Sequence, residues 1–152
     1  MESANQKTAL MDFVNQSNAA AGNYNSATPI DMSLFKQALY LLNVGVLSGT
    51  GTVDARLQSC KYSSFNTGVH NISGSNITQI TNSTGNTNTW VKLTVRADQV
   101  SQLNAGDRYV RLNTTIGTAS VNYQAVGIGM EAVQAPANQN ENTTLILQNV
   151  TV

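Results

Sequence analysis
The chain has 152 residues, a length suited to one domain, and its eight Lys and Arg balance eight Asp and Glu. Only 11% of residues are charged, which argues against nucleic acid or an anionic membrane as the main partner, since both need clustered basic groups. One cysteine, Cys60, excludes an intrachain disulfide framework, and one histidine, His70, excludes a multi-histidine metal site and most histidine-based catalytic sets.

Asn, Gln, Ser and Thr stand where Lys and Glu normally would. Thr favours strands through its branched Cβ, whereas Asn, Ser and Gly favour turns. Exposed helices lack their usual Lys, Glu and Arg. A mainly β chain is expected, with an uncharged amide and hydroxyl surface that suits burial in an assembly, because desolvating charges is costly. No apolar run reaches the length of a membrane span. The start MESANQKTALMDFV has no basic stretch followed by an apolar one, so no secretory signal is expected.

In chain order, Ala9, Leu10, Phe13 and Val14 fall on one face at helical spacing, and a short helix is predicted there. The small residues Asn18-Ala19-Ala20-Ala21-Gly22-Asn23 follow as a linker, and Pro29 marks entry into the domain. Residues 1–30 therefore read as an N-terminal arm, the alternative being a first helix packed on its own domain. From 36 to 47 the apolar residues fill both parities (Ala38, Tyr40, Leu42, Val44 against Leu39, Leu41, Leu47), which predicts a strand covered on both faces. After Ser48-Gly49-Thr50-Gly51, Val53, Ala55 and Leu57 alternate with polar residues, predicting a half-buried strand in a hairpin with its predecessor. The polar segment 61–89 offers only Ile72, Ile77 and Ile80 to a core, with a short edge strand expected near 76–81.

Trp90 opens the next strand, with Val91, Leu93 and Val95 inward and Lys92, Thr94 and Arg96 outward. Asn104-Ala105-Gly106-Asp107 is a turn, and Val110 and Leu112 alternate after it. Gly117-Thr118 has the spacing of a hairpin turn. Beyond it the apolar parity changes near Ala125, from Val121 and Tyr123 to Val126, Ile128 and Met130, which predicts a bulge or a strand passing between sheets. Ala135-Pro136-Ala137-Asn138-Gln139-Asn140 is a linker to an isolated strand pattern from Thr143 to Val152. The organisation is thus an arm (1–30), a core (31–135) and a C-terminal arm strand (136–152). The fold class is mainly β, an antiparallel β-sandwich or jelly roll with extended arms at both ends.

Candidate chemistry is thin. Asp54, Asp98, Asp107 and Glu131 read as solvated or turn carboxylates, His70 as a solvated loop residue without an evident partner, and Cys60 as a small structural residue. No phosphate loop, metal-ligand spacing or tandem repeat occurs, so no catalytic residue, no metal and no cofactor is expected. Phe35, Tyr40, Trp90, Tyr109 and Tyr123 lie within strand patterns and read as core. The arms are more informative. Leu10, Phe13 and Val14 at one end, with Leu145, Ile146 and Leu147 at the other, are expected to find their contacts on a partner molecule, the alternative being that both arms pack on their own chain. An unpaired apolar strand is otherwise prone to aggregate.

Two stretches carry a resemblance. The first is Pro29-Ile30-Asp31-Met32-Ser33-Leu34-Phe35, followed by an apolar strand to Gly45 and by Gly51-Thr52-Val53. The second is Leu103-Asn104-Ala105-Gly106-Asp107-Arg108-Tyr109-Val110-Arg111-Leu112, leading to Gly117. Together they resemble small virion proteins of tailed bacteriophages, of the capsid decoration (cement) type, whose members carry a similar Ala-Gly-x-x-Tyr-Val-Arg-Leu segment. The resemblance spans roughly residues 29–131 and departs from the family in the polar segment 61–89 and the tail after Pro136. It implies a jelly-roll-like homotrimer on the capsid exterior, clamping adjoining subunits of the major capsid protein, with no catalytic residues. The alternative is a tail or baseplate module that recognises host-surface carbohydrate, which requires Trp or Tyr clustered on the surface; Trp90 alternates with inward-pointing residues and is a candidate for one. A small β-fold hydrolase is the weakest reading, given a single histidine and no paired carboxylates.

Overall fold
The computed structural model describes residues 8–82 and 88–133. Strands form where β-branched and apolar residues alternate with polar ones, and they lie in two antiparallel sheets. The first sheet has the order β1 (Thr8–Ala19), β10 (Val121–Ala132), β4 (Phe35–Leu47), β8 (Thr89–Arg96). The second has the order β2 (Gly22–Asn25), β9 (Tyr109–Gly117), β5 (Thr52–Cys60), β6 (His70–Asn71), and takes in β3 (Ile30–Asp31) beside β9 and β7 (Ile80–Thr81) beside β5. Among the long strands, β1, β4, β8 and β10 belong to the first sheet, whereas β5 and β9 belong to the second. The chain crosses the sandwich repeatedly instead of folding into sequential hairpins. This is a jelly roll, as the sequence predicts.

The core lies between the sheets. Phe35, Ala38, Tyr40, Leu42 and Val44 of β4 face Val53, Ala55 and Leu57 of β5 and Val110, Leu112 and Ile116 of β9, and all are buried. The Tyr40 hydroxyl donates to the Val110 carbonyl at 3.1 Å and ties the two sheets through the interior. A short helix, α1 (Ala97–Leu103), buries Val100 at one end of the sandwich. It is absent from the sequence reading, because seven residues show too little periodicity. The predicted turn at Asn104–Asp107 forms, with the Asp107 N–H on the Asn104 carbonyl and Gly106 at φ 93°.

Several expectations are corrected. The stretch with Ala9, Leu10, Phe13 and Val14 is a strand paired with β10, not a helix, and residues 8–25 supply β1 and β2 rather than an arm and linker. A register shift between Leu10 and Asp12 inserts one extra residue. The outward residues Leu10 and Phe13 are therefore three apart, which mimics helical spacing. β5 does not pair with β4, nor β10 with β9, because each turn carries the chain across to the other sheet. The segment 61–89 contributes β6 and β7.

No change of parity occurs at Ala125. Val121, Tyr123, Ala125, Gly127 and Gly129 all face inward, and the register shift lies between Val121 and Tyr123. Glycine holds the last two inward positions because the aromatic rings of β4 fill the space. A Cβ on Gly127 would lie 2.7 Å from the Tyr40 ring, and one on Gly129 would lie 2.6 Å from the Phe35 ring. The parity change in the sequence is the outer face of β10 becoming apolar. Nor is β4 covered on both faces: Leu39 and Leu41 are half-buried on the outer side.

Candidate interaction surface
The outer face of the first sheet is built by register. Directly opposite residues on neighbouring antiparallel strands point the same way, so the pairings define rows across the sheet. Leu10, Ile128, Leu39 and Thr94 make one row, and Phe13, Val126, Leu41 and Lys92 make the next. Met130 and Gln37 flank the first of these. Leu10, Leu39, Leu41, Val126, Ile128 and Met130 are half-buried, and Phe13 is 44% exposed. None of them belongs to the core between the sheets. Three adjacent strands thus carry a contiguous apolar patch, which covers no other part of the chain among the described residues.

Beyond the patch the face turns polar. Asn15, Gln124, Asn43 and Trp90 stand opposite one another on β1, β10, β4 and β8. Trp90 is 69% exposed, so it belongs to the surface and not, as its strand position suggests, to the core. On the β8 side, Lys92 and Arg96 face solvent, and the Arg96 guanidinium bonds Asp98 at 3.1 Å. That hydrogen bond holds the Asp98 carboxyl below the usual carboxylate range.

Of the arm residues predicted to meet a partner, Leu10 and Phe13 lie on this face. Val14 does not: it points inward and packs against the core. Leu145, Ile146 and Leu147 fall outside the described residues. Sequence reasoning missed Leu39, Leu41, Val126, Ile128 and Met130 as surface. The signal is present as apolar residues on both parities of β4 and β10, but on β4 it points equally to burial on both faces and on β10 to a bulge or a change of sheet.

Among the described residues the titratable groups lie apart or meet in pairs. His70 has a partner after all, since its Nδ1 lies 2.9 Å from Oδ2 of the buried Asp107, and that same oxygen accepts from the Ser59 hydroxyl at 2.7 Å. Ring and hydroxyl both meet the carboxylate, so the histidine is not placed to take a proton from the serine. Asp54 accepts from Gln79 at 2.7 Å, and Glu131 accepts from Gln37 at 3.2 Å. Burial alone would raise the Asp31 pKa, but the two-pronged Arg108 contact and the Ser33 donors hold it low. Cys60 is buried and free, with the Tyr62 N–H on its sulfur at 3.4 Å. Among the described residues no three His, Cys, Asp or Glu side chains group as metal ligands.

No protein-family profile matches the sequence, and no curated protein is similar to it. Solved structures with low similarity include chains of viruses and of Bacillus endospore appendages. A chain of broad bean stain virus is similar with a TM-score of 0.41 and 9% identity, over 100% of this chain and 97% of its own. A chain from the disulfide-linked pili of Bacillus endospore appendages is similar with a TM-score of 0.40 and 19% identity, over 86% of this chain and 96% of its own. A chain of tobacco necrosis virus is similar with a TM-score of 0.33 and 10% identity, over 87% and 96%.

Proposed function
We propose that this protein is a structural virion subunit, a jelly-roll decoration protein that binds the outside of a bacteriophage head and clamps neighbouring capsid subunits. It does no chemistry and works by burying surface. The observation that carries this reading is the apolar patch on β1, β10 and β4, half-buried and outside the core among the described residues, on a chain otherwise poor in charge. Each half-buried side chain in it has roughly 1 kcal/mol still to gain from complete burial. A contact of that size is weak alone and becomes strong when a homotrimer repeats it. The partners are the major capsid protein and further copies of this chain. Leu10 and Phe13 take part through the patch, and Leu145, Ile146 and Leu147 through strand addition to a neighbouring sheet. The motifs at 29–35 and 103–112, which resemble cement proteins, support decoration over a role in the shell itself.

The test is Leu41→Glu, which puts a charge at the centre of the patch and leaves the inner face untouched. Light scattering and binding to phage heads should show loss of self-association and of occupancy, with the thermal midpoint near that of the wild type. Unchanged mass together with unchanged occupancy would overturn the assignment of this face.

A further inference from the structure
We propose that the polar end of the same face is a binding site for a neutral saccharide, with Trp90 as its stacking platform. Four consecutive strands bring Asn15, Gln124, Asn43 and Trp90 into one row, so three amides lead across the sheet to an exposed indole. Beside this row lies a depression of about 260 Å³, to which Ser17, Gly45 and Asn122 also contribute. Gly45 keeps it open: a Cβ there would stand 3.1 Å from the Asn122 carbonyl and project into the space.

The chemistry of the lining selects the ligand class. Each amide offers an acceptor oxygen and two N–H donors, which suits hydroxyls that both give and accept. The Asn122 Oδ1 takes the Asn18 N–H at 2.6 Å, and its amino group remains as a donor. The Gln124 amino group reaches Asn15 Oδ1 only at 3.5 Å, a contact readily exchanged for a ligand hydroxyl. Asn43 makes no hydrogen bond from its side chain to any of the described residues. No charged side chain lines the depression, so its amides offer a carboxylated or sulfated sugar no counter-charge; the cation nearest to Trp90 along β8 on this face is Lys92, in the next row. Trp90 supplies a broad apolar face for the C–H edge of a sugar ring, and its N–H makes no hydrogen bond to any of the described residues.

The row lies about 7 Å beyond the Phe13–Val126–Leu41 row, two residues along each strand. The site is therefore at the rim of the apolar patch and does not depend on the assembly reading.

Trp90 is the single tryptophan of the chain, so its emission reports on the site directly. The intact protein is titrated with neutral oligomers of glucose and of N-acetylglucosamine, with oligogalacturonate as the anionic comparison. A saturable change in emission is expected with a neutral series at millimolar concentration or below. Calorimetry on Trp90→Ala should show affinity reduced about tenfold or more, with Trp90→Tyr restoring part of it and both variants melting as the wild type does. Saturation with neither neutral series would overturn the proposal. So would equal affinity for oligogalacturonate, or wild-type binding by Trp90→Ala. The oligomeric mass measured for Leu41→Glu reports on assembly separately.

Discussion
Asp12 is the residue on which the interior of this fold pays most obviously for its shape. The register shift in β1 turns both Met11 and Asp12 inward, and the carboxylate is 2% exposed. Its Oδ1 accepts the Thr28 N–H at 3.3 Å, while its Oδ2 has no hydrogen-bond partner among the described residues. Burial raises its pKa, and the nearby Ser26 hydroxyl and the N–H groups of Thr28 and Phe13 only partly offset this. The Tyr40 phenol beside it is raised as well, by burial and by the Asp12 charge. A carboxyl whose folded pKa lies above its unfolded value contributes stability that is fully present below the unfolded pKa. That contribution is lost as pH rises through the folded value. Asp12→Asn keeps an acceptor for Thr28 and removes the charge. It should therefore stabilise the protein by about 1–3 kcal/mol at neutral pH and change little near pH 4, about the ordinary carboxylate range. Thermal midpoints of both proteins across that range check it, and a variant equally destabilised at both ends would refute the argument. The sequence hides this residue because a lone aspartate between apolar neighbours reads as an outward one.

At the scale of elements, β10 is the strand on which the packing of the first sheet depends, since it lies between β1 and β4. Its inward glycines let the Tyr40 and Phe35 rings approach the backbone. Gly129→Ala would set a methyl 2.6 Å from the Phe35 ring carbons, so ring or strand must move. The expected cost is about 1–3 kcal/mol, typical of overpacking a filled core, measured as a lower midpoint in urea with the same slope. Combining it with Phe35→Leu should recover part of the loss. Strands were legible where one face is buried and the other polar: β5 and β8 follow their predicted alternation. The alternation failed as a guide where both faces are apolar or where an extra residue shifts the phase. Hence β1 resembled a helix, and β10 appeared to change parity.

For the whole molecule, the decisive feature is that one sheet of the sandwich has an apolar outer face. If residues 136–152 supply a strand to a neighbouring copy, their deletion should reduce association measured by light scattering, while near-ultraviolet dichroism and melting of residues 8–133 stay close to the full chain. Equal association would assign the contacts to the sheet face alone. By itself the amino-acid sequence determined the class of the fold, the placing of β4, β5, β8 and β9, and the poverty of charged and ionisable chemistry. These depend on local alternation, turn residues and composition, which act over a few neighbours. Only the tertiary structure decided which strands pair, that His70 meets Asp107, and that Leu39, Val126 and Trp90 share one surface. Those relations join residues far apart in the chain, and local periodicity carries no information about which distant strand will lie alongside.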